Sequence, residues 1–449
     1  MGIVGLAGPP KAGYSLKAGA YTKAGGFVGR VELCAAICQA NYAMGEMNDL
    51  KQGVVTAAPM PLLRSHMPEL DTIRGLAILG VVLHHAFYWV RDLSLYSPWQ
   101  RVFLRTMGIG QYGVNLFFVL SGFLITGILL SARDRPDYFK RFYVRRVLRI
   151  LPAYYLTLLI LVVFKITSKG FLWMSLLYSS NLSLLLGIPM SYAVLWSLAV
   201  EEHFYLVWPA AVRKLSSRGL LVLAGSLLIL SPLLRFSCSF FPAKYASIAQ
   251  GCVYYTWNCA DGLALGAVMA LLVRRMNDDR RKLLRFSLFL IALGFVIGVA
   301  GLPFGITTRM NPVGVALQWV PWNLGSGGLL GLFLLAGSGK WKWLVTPRIL
   351  TFFGAISYGL YLYHLLFSDA YQWVVRRTGF DQQWNLSLWQ RTWLAMIVWS
   401  TAAVAFSYLS RWYFEEPFLR LKERWEKPAR PAQVLEMTGA GEGQKIVKT

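Results

Sequence analysis

Charge is scarce in this sequence. Only 15% of its 449 residues are Asp, Glu, Lys or Arg, and 56% are apolar, whereas soluble globular chains carry about 25% charged residues. That deficit excludes an ordinary soluble domain. Acidic residues are the scarcer half, 21 against 45 Lys and Arg. Such a balance fits either nucleic-acid binding or the basic loops of a membrane protein. The basic residues sit mainly in short loops between apolar runs, so no nucleic-acid partner is expected. Cysteine is rare as well: five residues, none at metal-ligand spacing, and no metal site is expected. Cys34 and Cys38 stand one helical turn apart, and Cys238 and Cys252 share one loop, where they would pair only in an oxidising compartment. Inert apolar roles are the favoured reading for all five. Internal repeats of 20–50 residues are missing too, which excludes a solenoid.

Long apolar runs are what the chain has instead. Leu151–Phe164, Gly219–Leu234 and Leu284–Ala300 approach the length that crosses roughly 30 Å of hydrocarbon as a helix. Runs and breaks together give ten crossings, near 72–91, 112–131, 151–166, 194–212, 219–236, 257–273, 286–303, 313–337, 350–369 and 392–413. The apolar stretch 171–187 would make eleven. Charge decides the parity. The loop 131–149 holds seven Lys or Arg and two Asp, and further basic groups lie at Arg213–Arg218, Arg274–Arg285, Lys340–Arg348 and after Pro417. With ten crossings all of them fall on one side, the cytosol by the positive-inside rule, with both termini. The stretch 171–187 is therefore read as interfacial or re-entrant. The fold expected is an all-α integral membrane protein with about ten transmembrane helices around a polar cavity, in the cell inner (plasma) membrane. Residues 67–425 form this domain. Residues 1–66 are read as a disordered extension or a misassigned start, since Met44, Met47, Met60 and Met67 all precede the first span. Residues 426–449 are a short cytosolic tail.

A charged or titratable side chain inside a bilayer is costly and usually lines a functional cavity. His85 of the first span, Asn115 of the second, Glu201 and Glu202 of the fourth, Asp261 of the sixth and His364 of the ninth all fall in the outer half of the membrane. Agreement in depth across five helices predicts one shared cavity. Arg74 and His85, eleven residues apart, project from one helix face roughly 16 Å apart along the axis, and His84 points about 100° away. Arg145, Arg146 and Arg149 gather with Arg74 at the cytosolic edge. They read either as positive-inside anchors or as an anion site, since clustered guanidinium groups suit phosphates.

The order of motifs resembles the acyltransferase-3 family. It runs from Leu70-Asp-x-x-Arg-Gly-Leu-Ala and the Arg-x10-His of Arg74 and His85 through Gly113-Val-Asn-Leu-Phe-Phe-Val-Leu-Ser-Gly-Phe-Leu-Ile and Arg145-Arg-x-x-Arg-Ile-Leu-Pro. It continues in Trp196-Ser-Leu-Ala-Val-Glu-Glu-His-Phe-Tyr, Asp261-Gly-Leu-Ala-Leu-Gly-Ala, Ile356-Ser-Tyr-Gly-Leu-Tyr-Leu-Tyr-His and Tyr413-Phe-Glu-Glu-Pro-Phe. The chain departs from the family's pattern where Asn115 replaces the usual Asp, Cys259 a frequent Arg and His203 a common Gln.

The resemblance implies a membrane enzyme that moves an acyl group, commonly acetyl, from acyl-CoA to a hydroxyl of a glycan, a lipid-linked glycan or another acceptor. Acyl-CoA is then a co-substrate, with no permanently bound cofactor. His85 is the best-suited base, with an ordinary pKa near 6.5. Glu202 or Glu201 would orient it, and a transient acyl-histidine or a Glu base are the alternatives. Arg74, Arg145, Arg146 and Arg149 would hold the CoA phosphates. Asn115, Ser121, Ser197, Asp261 and His364 would line the acceptor side or the cavity. Proton-coupled transport is the rival class, since His, Glu and Asp at one depth also suit it, although the internal repeats usual in such transporters are absent.

Overall fold

The computed structural model describes residues 61–64, 66–88, 92–242, 244, 246–308, 311–380 and 385–425. The expectations for residues 1–60, Cys34 and Cys38 among them, and for the tail 426–449 lie outside these residues. Ten long helices carry the described chain. They are α1 (Pro68–Tyr88), α2 (Gly113–Ser131), α3 (Tyr138–Val163), α4 (Leu195–Lys214), α5 (Ser217–Cys238), α6 (Thr256–Arg275), α7 (Arg280–Gly301), α8 (Val320–Gly337), α9 (Arg348–Thr378) and α10 (Leu388–Leu409). No strand occurs among the described residues, as expected where every backbone group must bond within its own segment.

Nine helical stretches among the described residues have the length and hydropathy to cross a membrane. The remaining long helix is α4, whose hydropathy is lowered by Glu201, Glu202 and His203. Burial is arranged for hydrocarbon around the bundle. Leu159, Leu206, Val222, Ile229, Phe289 and Phe295 are each more than half exposed, while Arg235, Asn258, Asp261 and His364 are buried. The chain is a multi-pass membrane protein, and the all-α architecture expected from the sequence is the one observed.

Local chemistry sets the helix ends. Ser216 caps α5 by accepting from the Gly219 N–H, Asp279 caps α7 from Lys282, and Ser387 forms a capping box with Gln390 at α10, each satisfying donors that the first turn leaves open. The stretch 171–187 is not one helix. It holds the end of the eight-residue helix Lys169–Leu176 and the 3₁₀ turn Ser180–Leu186, both too short to cross.

Close helix approach fixes direction as well as position. A side chain at Gly75 would overlap the Leu350 carbonyl, and one at Gly354 the Asp71 carbonyl. Farther along the same pair, His85 meets His364. So α1 and α9 run parallel. Likewise Gly122 lies against the Leu263 carbonyl, Gly262 against Phe118 and Gly266 against the Val119 carbonyl, which makes α2 and α6 parallel. Three crossings between α2 and α6 satisfy that relation, and an eleventh span at 171–187 would break it.

The chain leaves α10 through the π-helical turn Ser410–Glu415. There Ser410 donates to Glu415 Oε1 at 3.0 Å and meets the Tyr363 hydroxyl at 3.0 Å, which secures α9 at the residue before His364. The final described helix is Glu416–Trp425.

Membrane helices pack through small residues that let backbones meet. Gly266→Val is therefore expected to destabilise the α2–α6 contact by about 1–3 kcal/mol. Thermal unfolding of the purified protein in detergent checks this, and an unchanged midpoint would refute the close-contact reading.

Candidate active site

The predicted site residues do not share one cavity. The structure divides most of them between two chambers; Arg145 lines an adjoining pocket, His364 is buried behind His85, and Asp261 lines neither chamber.

The first chamber is basic at one end. It has a volume of about 180 Å³, and its polar lining includes Arg74, Arg146, Arg149, Ser121, Ser197, Glu201, Glu202 and Tyr205. Helical spacing explains the arrangement. Ser197, Glu201 and Tyr205 are four residues apart on α4, and Arg146 and Arg149 are three apart on α3, so each set shares a face. Tyr205 donates to Glu201 Oε2 at 2.8 Å and is bonded in turn to Ser121. The Arg146 guanidinium lies 4.9 Å from the centre of the Tyr205 ring. Arg74 is paired with Asp71 on its own helix. Arg146 and Arg149 also line an adjoining pocket of about 130 Å³ with Arg141 and Arg145. The predicted guanidinium cluster is thus brought together around two adjoining cavities that share Arg146 and Arg149.

The second chamber holds the histidines. It has a volume of about 520 Å³ and is lined by His84, His85, Gln111, Tyr112, Asn115, Tyr192, Trp196, Tyr254, Trp319, Tyr361 and Asp369, with further apolar residues. His364 is fully buried behind His85, its Nε2 3.2 Å from His85 Nδ1. His364 Nδ1 lies 3.0 Å from the Leu360 carbonyl and 2.9 Å from that of Tyr361. A carbonyl only accepts, so this nitrogen carries the proton and His364 Nε2 presents a lone pair. His85 Nδ1 faces that lone pair and, at 2.9 Å, the Val81 carbonyl. It too must carry a proton. The neutral His85 ring then bears its lone pair on Nε2.

Glu201 and Glu202 line the other chamber and are not brought to His85. The side chain that meets His85 is instead His364. Asn115 does line the histidine chamber, and its amide donates to Asn323 Oδ1 at 2.8 Å. Ser121 and Ser197 line the basic chamber. His84 joins the same chamber as His85, with ring centres 5.0 Å apart, despite its angular offset on α1.

Asp261 lines neither chamber. Its carboxylate accepts from Arg235 at 2.8 Å, and both residues are buried. Arg235 also donates to the carbonyls of Ala316 and Asn258, and it lies 5.2 Å from the centre of the Trp319 ring. A guanidinium from α5 thus meets the carboxylate two residues after Cys259, the position where the family often has Arg. The pair braces Trp319, a wall of the histidine chamber. Arg235 was visible as a charge at the end of an apolar run away from the basic loops, but its partner was not.

Reading by charge also missed the aromatic wall. Trp196 and Trp319 stack at 6.2 Å with planes 16° apart, and Tyr254 tilts against Trp196 at 5.2 Å. The cysteine expectation needs correction as well: Cys238 and Cys252 form a disulfide at the end of α5 remote from the basic loops, while Cys259 is buried and outside any described disulfide.

Comparison with known proteins decides the family. The acyltransferase-domain family matches residues 67–412. The chain belongs to the acyltransferase-3 family. Among its relatives is a Bacillus subtilis protein provisionally named a peptidoglycan O-acetyltransferase, 31% identical over 337 residues, which are 67% of this chain and 48% of that protein. A peptidoglycan O-acetyltransferase of Listeria monocytogenes is 32% identical over 167 residues, 33% of this chain and 24% of that one. A Staphylococcus aureus protein provisionally named an O-acetyltransferase is 26% identical over 340 residues, 67% of this chain and 50% of that one. The chain spans about half or less of the length of these relatives. No solved structure matches it.

Proposed function

We propose that this protein is a membrane O-acetyltransferase that carries acetyl from acetyl-CoA to a hydroxyl of a glycan. The observation that carries the reading is the His85–His364 contact, because it leaves His85 Nε2 as a base inside a chamber large enough for an acceptor. The acceptor hydroxyl gives its proton to His85 Nε2 while its oxygen attacks the thioester carbonyl carbon. The tetrahedral intermediate then expels sulfur, the C–S bond breaks, and His85 Nε2–H returns the proton to the thiolate. His364 accepts from His85 Nδ1 throughout and stabilises the imidazolium, the part that a carboxylate plays in serine-hydrolase triads.

The donor reading rests on Arg141, Arg145, Arg146 and Arg149 beside one another on α3, a fit for the phosphates of CoA. From there the flexible thiol arm rises toward His85, over the roughly 16 Å that separate Arg74 and His85 on α1. The glycan reading rests on the names of the relatives and on the aromatic wall, whose ring faces suit the apolar C–H face of a sugar. Asp369 and Gln111 lie on the same lining and supply hydroxyl partners.

In the same reading the basic loops and both termini face the cytosol of the cell inner membrane, and acceptors enter from outside. The Cys238–Cys252 disulfide supports that orientation, since disulfides persist in oxidising compartments.

Three outcomes test these assignments. His85→Ala is expected to lower acetyl transfer from radiolabelled acetyl-CoA by about 100-fold or more, with His364→Ala falling between it and wild type. Full activity in His85→Ala would reject the base. Replacing Arg146 and Arg149 together by Ala should raise the KM for acetyl-CoA more than it lowers kcat, and an unchanged KM would reject the phosphate assignment. A membrane-impermeant maleimide applied to intact cells should label Cys238 and Cys252 only after reduction, whereas labelling confined to inverted vesicles would reverse the orientation.

A further inference from the structure

The basic chamber and the histidine chamber meet at three residues. Val114, Phe118 and Tyr361 line both. Val114 and Phe118 are one turn apart on α2 and offer only apolar surface. Tyr361, from α9, is the polar member of this wall. It is buried, and its hydroxyl lies 2.5 Å from Ser197 Oγ on α4.

The direction of that bond follows from a proton count. Ser197 Oγ lies 3.2 Å from the Val194 carbonyl, which only accepts, so the single serine proton is donated there. Tyr361 is therefore the donor to Ser197. The bond draws the phenol across the bundle from α9 to α4, between the guanidinium groups and His85.

The same residue supports the histidine pair through its backbone, because the Tyr361 carbonyl accepts from His364 Nδ1 at 2.9 Å. A change of side-chain rotamer moves the phenol without moving that carbonyl. The wall can open while His364 and His85 stay in register.

We propose that Tyr361 is a positioning residue that, through its hydrogen bond to Ser197, separates the donor chamber from the acceptor chamber and limits access of thioester and water to His85. The inference rests on the acetyl-CoA reading above. Its chemical consequence is partition between transfer and hydrolysis. With the wall closed around the bound arm, water from the donor side does not follow the thioester to His85. With it weakened, water takes the acceptor's place: it attacks the carbonyl carbon, gives a proton to His85, and the C–S bond breaks to release acetate and the free thiol of CoA.

The test is release of CoA thiol from acetyl-CoA by the full chain in proteoliposomes with no acceptor added. Tyr361→Phe, which removes the donor, and Ser197→Ala, which removes the acceptor, should each raise release by about 2- to 10-fold, the range that loss of one hydrogen bond implies. Adding His85→Ala to either should bring release below the wild-type rate. A merely structural role would lower release or leave it unchanged. Release no higher than wild type in both single variants, with bound radiolabelled acetyl-CoA retained, would overturn the inference and leave the donor reading intact. If one variant fails to insert, the other reads the same bond. Wild type that neither binds acetyl-CoA nor releases its thiol would overturn the donor reading, and this inference with it.

Discussion

Hydrocarbon supplies no hydrogen bonds, so every polar side chain inside this bundle must find its partner on another helix or on its own backbone. That constraint organises the whole site. His364 meets two carbonyls of its own turn and one imidazole from α1. Arg235 meets one carboxylate and two carbonyls. Asn115 meets Asn323. These partnerships require the helices to come close, and glycines at Gly75, Gly354, Gly122 and Gly266 provide the approach. Packing and polar satisfaction are one requirement here, since the contact that brings α1 to α9 is the contact that sets the protonation pattern of His85.

Two adjoining chambers of different lining suit the proposed reaction, whose partners differ in chemistry. Phosphates call for guanidinium groups, and these gather where α3 begins. Sugar rings call for flat apolar faces beside hydrogen-bonding groups, and these gather around His85. The proposed base lines the second chamber, behind a wall of two apolar side chains and one tyrosine. In this arrangement Glu201 and Glu202 belong with the guanidinium groups, where Tyr205 links Glu201 to Ser121.

Reading along the chain located the charged lining of the basic chamber but few residues of the histidine chamber, and not their neighbours. His85, Asn115, Glu201 and Glu202 were conspicuous because each is a polar residue in an apolar span, and each does line a chamber. Equal depth in the membrane does not amount to proximity. Residues at one depth on different helices can face opposite sides of a wall, or, like Asp261, another helix altogether. The aromatic wall escaped notice for a related reason. Tryptophan and tyrosine are ordinary residues at membrane interfaces, so Trp196, Tyr254 and Trp319 carried no signal until their rings were seen around one volume.

The sequence by itself determined the membrane, the long apolar helices, the family and the guanidinium cluster. Each of these depends on local properties: hydropathy of a run, charge of a loop, helical spacing and the order of motifs. Only the tertiary structure decided that His364 rather than a glutamate backs His85, that Arg235 answers Asp261, and that Tyr361 stands between two chambers. Those are contacts between residues up to 279 positions apart. Helix rotation and crossing set them, and neither is written in the periodicity of a single span.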